Sequence, residues 1–232
     1  MKKTISALKD IIFSYLIIYF TTILSIIINI IITKNLDIIK NLATITKYSI
    51  IAMTITIIPI TIFLYRKNYQ KESPINTKLL LLMIPLGATI SLIYNNLTIN
   101  LTPNQSLTKI PLVIVILYTS ILGPIFEEIL FRYDTYNKLQ KIYNFKIATI
   151  LTSIVFALLH SGIITIIYAF ILGLILCYVY KKTKNILYPI LLHISANFAS
   201  MFITKYNLLT LLISIIVLLS TLYLIKKCLR KQ

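Results

Sequence analysis

Adjacent acidic side chains and both histidines of this chain lie in long apolar runs. The chain has only six Asp and Glu residues and two His, and Glu127, Glu128, His160 and His193 all fall in such runs. An ionisable group surrounded by hydrocarbon is energetically costly, so its presence there points to a function. Carboxylates and imidazoles transfer protons during hydrolysis and also bind zinc. These residues therefore predict a polar reaction site inside an apolar protein.

The segment Gly123–Arg132 contains the two adjacent glutamates. Glu128 and Arg132 are four residues apart, so on a helix they share a face and can form an ion pair. Glu127 is rotated by about 100° from Glu128 and is therefore expected to point elsewhere, as the freer carboxylate. Pro124 lacks an N–H and is expected to bend or open the helix just before the pair. The alternative for Glu128 and Arg132 is a purely structural ion pair between helices.

The second cluster contains the first histidine. Phe156 and His160 lie one helical turn apart and are expected on one face. Glu127 and His160 are equally far from a polar segment around Asn144, where a turn is expected. An antiparallel hairpin would then place both residues at one depth, about 24 Å along each helix from the turn. The alternative for His160 is a bond to a backbone carbonyl in a packed bundle.

The third cluster contains His193 and Asn197, which are four residues apart and share a helix face. Both side chains can donate hydrogen bonds to one point in a cavity. Pro189, one turn earlier, is expected to distort this helix. The alternative for His193 and Asn197 is polar contact that joins neighbouring helices. Ser195 faces away from them and is assigned no role.

Membrane-spanning helices must position these residues, because 58% of the chain is hydrophobic and long apolar runs in lipid have to satisfy their own backbone hydrogen bonds. We predict an all-α, polytopic membrane helix bundle of about eight transmembrane helices with an intramembrane polar cavity. The predicted spans are Ile11–Thr33, Ser49–Tyr65, Leu79–Tyr94, Pro111–Phe131, Ile147–Ser161, Ile163–Tyr180, Ile186–Ile203 and Asn207–Ile225. We treat residues 1–232 as one transmembrane domain. Residues 1–110 are its N-terminal spans without a motif, residues 111–203 its catalytic helical core, and residues 204–232 its last span and basic tail.

The 23 Lys and Arg residues far outnumber the acidic ones. Most of them fall in the N-terminal segment, in alternate connectors and in the C-terminal tail, which is the distribution that sets membrane topology. It predicts a multi-pass protein of the plasma membrane with both termini cytoplasmic. Because the charges lie in short connectors and do not form one surface patch, nucleic acid is excluded as a partner.

Taken together, the three clusters resemble a known family. Glu-Glu-x-x-x-Arg, Phe-x-x-x-His and His-x-x-x-Asn, in this order on apolar segments, resemble the intramembrane endopeptidases of the CAAX-protease and bacteriocin-processing (CPBP, Abi-like) family. The stretch from Ala169 through Gly173 and Pro189 to His193 is similar to the run before this family's last motif. The resemblance covers about residues 111–200. Tyr133 departs from it, because many members have Gly after the Arg.

The resemblance implies hydrolysis of a peptide bond in a membrane-associated, prenylated or bacteriocin-type substrate. Glu127 and His160 would activate a water, His193 and Asn197 would stabilise the oxyanion, and Glu128 and Arg132 would mainly hold the first helix in place. No cofactor is required on this interpretation. Two histidines and a glutamate could also satisfy zinc, and the family is often described as metalloproteases.

Two other functions are considered. Family members are also linked to bacteriocin self-immunity, so the chain could confer immunity by binding without proteolysis. A transporter that relays ions through midplane carboxylates would predict repeat symmetry, and none is visible. The expected partners of the enzyme are membrane lipid and a membrane-associated peptide or protein substrate.

Overall fold

The computed structural model describes residues 57–67, 70–101, 112–203 and 205–230, together with scattered helical positions between residues 5 and 31. Every regular element in these residues is a helix, which confirms the all-α class. Most of the first predicted span, Ile11–Thr33, and part of the second, Ser49–Tyr65, lie outside the described residues. The total of eight spans therefore stays a prediction.

From residue 57 onward the described chain contains seven helices, named α1 to α7 in chain order. The first is α1, residues 57–67. Helix α2 runs over Thr77–Thr98, with a turn at Leu82. Helix α3, residues 112–140, is composite. The remaining helices are α4 (Phe145–Leu158), α5 (Ile163–Thr183), α6 (Leu187–Ser200) and α7 (Leu208–Leu229).

Three of the described helices, α2, α5 and α7, are long and apolar enough to cross a membrane. Large apolar side chains cover the outside of α7, where Leu209, Ile216 and Leu219 are all more than 60% exposed. Exposing such an apolar surface to water costs free energy, whereas exposing it to lipid does not. The helices therefore belong to a membrane protein, as the sequence predicts.

Asparagine side chains begin three of the helices. Asn76, Asn144 and Asn207 each accept a hydrogen bond from the backbone N–H three residues later, at 3.1, 3.0 and 3.0 Å. Asparagine is favoured at this position because its short side chain satisfies an N–H that has no partner within the helix. The cap at Asn144 also confirms the turn predicted there between α3 and α4.

Helix α3 is irregular along most of its length. Its segments Leu112–Val115, Gly123–Glu128 and Asn137–Gln140 are α-helical, whereas Ile116–Leu122 and Ile129–Tyr136 are wider π-helical turns. The first π-helical segment ends at Leu122, two residues before Pro124, so the helix is widened just before this proline, where an opening was predicted. Such segments often occur at functional sites, because they redirect side chains and free backbone carbonyls.

Helix α6 carries the third motif and packs against α2, α3 and α5. Pro189 lies in its first turn, where backbone N–H groups need no partner within the helix. The predicted distortion of this helix is therefore wrong, because the helix begins just before the proline.

The connector between α1 and α2 holds the start of α6 in place. Asn185 Nδ2 donates to the Ser73 carbonyl at 2.9 Å, and Ile186 N–H donates to Glu72 Oε1 at 3.3 Å. A carboxylate is also well placed at a helix N-terminus because of the helix dipole. Partial burial raises the pKa of Glu72, and the hydrogen bond from Ile186 opposes that rise.

The contact between α2 and α6 depends on Gly87. A Cβ atom at Gly87 would clash with the carbonyl oxygen of Leu192 and with Ser195 Oγ. We expect Gly87→Ala to lower the free energy of unfolding by about 3 kcal/mol, because two helix backbones would have to separate. Thermal unfolding in detergent measures the loss. Ile84→Ala, at an exposed position of the same helix, is the control, and equal unfolding temperatures for the two variants would contradict the prediction.

Candidate functional site

Glu128 is the centre of a fully buried cluster. Its Oε1 accepts hydrogen bonds from Arg132 Nη1 at 2.7 Å and from His193 Nδ1 at 2.8 Å, and the Glu128 and Arg132 side chains are 0% exposed. The predicted ion pair within the helix is therefore present. Because an ionised carboxylate only accepts hydrogen bonds, the proton in the contact with His193 lies on Nδ1 of the ring.

Arg132 joins three helices around this carboxylate. Its guanidinium carbon lies 4.6 Å from the centre of the Phe156 ring on α4, a cation–π contact. Its Nη2 is 3.4 Å from the Gly173 carbonyl of α5. The absence of a side chain at Gly173 lets α5 pack closely against α4, because a Cβ atom there would lie only 3.0 Å from the Cβ of Ser153. The Glu128–Arg132 pair therefore connects helices as well as turns of one helix.

Glu127 faces the same imidazole, that of His193, from another direction, and it is the freer carboxylate, as expected. Its Oε2 lies 3.7 Å from His193 Nε2, which is too long for a direct hydrogen bond, and its side chain is 33% exposed. The two glutamates do diverge around α3. However, the imidazole of α6 sits between them and presents one nitrogen to each. Glu127 is therefore the accessible carboxylate of the pair, and Glu128 is the enclosed one.

His160 lies in the turn between α4 and α5 and not within a helix. Helix α4 ends at Leu158, before the predicted end at Ser161, and Gly162 takes a positive φ of 86° that few other residues adopt. His160 Nδ1 lies 3.0 Å from the Phe156 carbonyl. A carbonyl only accepts, so Nδ1 donates and Nε2 carries the lone pair of the neutral ring. The backbone-carbonyl bond considered as an alternative is thus present.

Phe156 connects the two histidines. Its ring is in edge contact with His160, with ring centres 5.0 Å apart, and with His193 at 5.7 Å. This contact confirms that Phe156 and His160 share a face. The equal depth predicted for Glu127 and His160 stays a prediction.

Asn197 contacts the backbone of α3. Its Nδ2 donates to the Thr119 carbonyl at 2.9 Å. In a π-helix the N–H of a residue donates to the carbonyl five residues earlier, and Gly123 N–H donates to the Tyr118 carbonyl in this way. The corresponding donor for Thr119 would be residue 124, which is a proline without an N–H. Asn197 therefore supplies the hydrogen bond that Pro124 removes.

This compensation predicts coupling between two residues on different helices. Asn197→Ala should lower the free energy of unfolding by about 1 kcal/mol, because it leaves the Thr119 carbonyl without its donor. Pro124→Ala restores an N–H at the right position, so Asn197→Ala should cost much less in that background. Thermal unfolding of the four proteins in one double-mutant cycle measures the coupling. Simple additivity of the two changes would contradict it.

The side chains that the structure describes do not form a three-ligand metal site. Among the described residues, no three His, Cys, Asp or Glu side chains are grouped to hold a metal ion. Glu128 Oε1 and His193 Nδ1 bond to each other, which leaves Glu127 and His193 Nε2 as the neighbouring donors. A catalytic zinc site uses three protein ligands, so the arrangement does not fit zinc.

Several contributors to the site were not predicted from the sequence. They are the Phe156 ring as a link between the histidines, the Thr119 and Gly173 carbonyls, and Glu72 at the start of α6. Backbone carbonyls leave no signal in a sequence, because every residue has one. Ser195, which was assigned no role, donates to the Leu192 carbonyl at 2.8 Å and lies 3.3 Å from the Met83 carbonyl. It belongs to the packing of α6 on α2.

Fold and cluster together define a polytopic helical membrane protein with a buried carboxylate–arginine–imidazole site, one carboxylate of which is accessible. Residues 109–199 of the chain match the family model described as type II CAAX prenyl endopeptidase Rce1-like. That segment carries all three motifs. The resemblance predicted from them is therefore confirmed over this segment.

Two curated relatives are similar over the same part of the chain. The protein named "Putative membrane peptidase YdiL" of Bacillus subtilis (strain 168) is 33% identical over 88 residues, which are 38% of this chain and 35% of that protein. The membrane-embedded CAAX protease MroQ of Staphylococcus aureus (strain USA300) is 37% identical over 95 residues, 38% of each chain. This chain thus matches little more than a third of each relative's length. No solved structure matches it at a significant level. One relative is thus named as a peptidase and the other as a protease.

Proposed function

We propose that the chain is an intramembrane endopeptidase that hydrolyses a peptide bond of a membrane-associated, prenylated or bacteriocin-type peptide. The observation that carries the proposal is the pair of unlike carboxylates around His193. Glu128 is enclosed and binds one ring nitrogen, whereas Glu127 is one-third exposed and faces the other. One glutamate is thus available for chemistry, and its neighbour orients the imidazole.

Glu127 is the general base in this mechanism. A water beside its carboxylate loses a proton to Glu127 as it attacks the carbonyl carbon of the peptide bond, and the protonated Glu127 then returns the proton to the leaving amine. His160 assists from the turn before α5. Its Nδ1–H is donated to the Phe156 carbonyl, so Nε2 is free to accept a hydrogen bond from the same water.

His193 and Asn197 stabilise the oxyanion. The Nδ1–H of His193 is donated to Glu128, so the oxyanion donor is Nε2. This nitrogen carries a hydrogen only when the ring is an imidazolium. In that form Glu127, Glu128, Arg132 and His193 sum to zero charge, which suits a water-poor site. Asn197 uses one N–H for Thr119, and its second N–H is the oxyanion donor. Donors that are fixed before the reaction begins lower a barrier most, and each of these side chains is held by one hydrogen bond to a neighbouring helix.

The same residues support a reaction without a metal. Every catalytic role above is filled by a side chain of the chain itself, and the donors do not form a three-ligand set. We expect cleavage in detergent or nanodiscs to continue within about twofold after treatment with EDTA or 1,10-phenanthroline, since no proton transfer passes through an ion. A zinc peptidase treated in parallel is the control. Loss of cleavage that added zinc restores would contradict the metal-free mechanism.

We further infer that both termini are cytoplasmic. The described ends of α5 and α7 carry Lys181, Lys182, Lys226 and Lys227, and basic residues at helix ends favour the cytoplasmic side. The proposed site is formed by residues 111–203. The last span and the basic tail follow these residues in the chain.

The test compares peptide termini in membrane fractions. Cells producing the wild type or Glu127→Ala at equal levels are analysed by mass spectrometry of membrane-protein termini. New termini that disappear with Glu127→Ala would support proteolysis and identify the substrate. Identical termini, with the variant folded and inserted, would overturn the enzyme and leave immunity or another role by binding.

Asn197 can be tested separately for its catalytic part. In the Pro124→Ala background the Thr119 carbonyl has a backbone donor, so the structural need for Asn197 is removed. If Asn197 is also an oxyanion donor, adding Asn197→Ala to Pro124→Ala should cost little stability but should still lower the rate of cleavage. Full recovery of cleavage would show that Asn197 serves only the helix backbone.

A further inference from the structure

A large apolar cavity lies away from the Glu/His cluster. It has a volume of about 580 Å³ and lies between α2, α5 and α7, with the start of α4 at one side. Its walls include Met83, Ile90, Ile175, Leu218 and Ile225. None of the six residues assigned to catalysis lines it. The cavity therefore has no evident part in peptide hydrolysis.

The depth of this cavity corresponds to one leaflet of a bilayer. Along α2 its lining extends from Leu79 to Ile90, and along α7 from Leu218 to Leu229. At 1.5 Å per residue each stretch is about 16 Å long. The hydrocarbon core of a bilayer is about 30 Å thick, so the cavity reaches from one surface to about the middle. That is the depth of a single acyl chain.

Basic side chains surround the end of the cavity that lies at the membrane surface. Lys182 is part of the lining, next to Leu229 and Thr183, and its Nζ lies 5.8 Å from the centre of the Tyr178 ring. The basic residues Lys78, Lys226 and Arg230 are adjacent in the chain to the lining residues Leu79, Ile225 and Leu229 at the same helix ends. Basic pockets between spanning helices attract the phosphate of anionic lipids.

We propose that this cavity is a binding site for one anionic phospholipid of the leaflet at the basic end. One acyl chain lies between α2, α5 and α7, and the phosphate lies against Lys182. The combination of an apolar channel one leaflet deep with cations only at its mouth matches a lipid with a negatively charged headgroup. A bound lipid would fill the gap between α7 and the helices α2 and α5, and its contacts would also stabilise the position of α7.

Lipid retention tests the site. The full chain is assembled in nanodiscs of equimolar phosphatidylglycerol and phosphatidylcholine, and the lipids that remain bound after release are counted by native mass spectrometry. We expect one phosphatidylglycerol per chain to be retained in preference to phosphatidylcholine. Lys182→Gln should weaken this preference about fivefold, which corresponds to about 1 kcal/mol for one basic side chain near the headgroups.

Matched variants separate the cavity from the general surface. Leu218→Trp places a large ring in the cavity, whereas Leu219→Trp, one residue later, changes a side chain that is 62% exposed outside it. Lys141→Gln removes an exposed lysine that is not part of the lining. The proposal requires that Leu218→Trp abolish retention and that both controls preserve it.

Two results would overturn the proposal. The first is equal retention of the two lipids, or retention that Leu218→Trp does not change. The second is displacement of the lipid by a farnesylated peptide in proportion to its cleavage, which would make the cavity part of the substrate site. Because the readout is bound lipid and not hydrolysis, the lipid site can fail while the proposed peptidase stands, or the reverse.

Discussion

Glu127→Gln is expected to lower the rate of peptide cleavage by about 10²–10⁴-fold, the usual contribution of a general base. Glutamine keeps the shape of the side chain but does not accept a proton from water. The fold should be unaffected, because Glu127 is one-third exposed and its contact with His193 Nε2 is 3.7 Å long. Cleavage of a peptide identified from the membrane termini, measured in nanodiscs at equal amounts of folded protein, gives the ratio of rates.

The neighbouring glutamate is the control for this result. Glu128→Gln changes the residue next in sequence, but one whose carboxylate is fully buried and bonded to Arg132 and His193. We expect it to lower both cleavage and thermal stability, because it leaves the charge of Arg132 without its counter-ion. If Glu127→Gln cleaves at the wild-type rate while it is folded, Glu127 is not the base and the mechanism fails.

Arg132→Met is expected to destabilise the protein by about 3–5 kcal/mol. The side chain is 0% exposed and forms an ion pair with Glu128 at 2.7 Å. It also stacks against Phe156 and approaches the Gly173 carbonyl. Removing one member of a buried pair leaves the other charge uncompensated, which costs more than the pair itself contributes. Thermal unfolding in detergent measures the change, with Arg230→Met at an exposed helix end as the control.

The double variant Glu128→Leu with Arg132→Met tests the reason for this loss. A buried ion pair replaced by apolar side chains of similar size is often neutral in stability. We therefore expect the double variant to recover most of the stability lost in Arg132→Met, although cleavage stays low because His193 Nδ1 loses its acceptor. A double variant that is no more stable than Arg132→Met would show that the arginine acts through its contacts with Phe156 and Gly173.

The sequence by itself determined the helical membrane class and nominated the residues of the candidate site. Apolar runs in lipid have no alternative to helices, so most of the described helices could be predicted to within about four residues. Helix α3 is the exception, because it continues from the predicted end at Phe131 to Gln140. The cost of a charge in hydrocarbon identified Glu127, Glu128 and the histidines. The spacing of four residues predicted the Glu128–Arg132 pair, which depends only on local helix geometry.

The tertiary structure alone decided how the motifs act on one another. The opposite environments of Glu127 and Glu128 depend on where α6 places His193, and no spacing within α3 contains that information. His160 lies outside the helix, because α4 ends at Leu158, before the apolar run ends, and the chain turns at Gly162 with a positive φ. The bond from Asn197 to Thr119 exists because Pro124 removes a donor from a π-helical turn. Contacts between helices decide such details, since hydrogen bonds and burial depend on residues far apart in the chain.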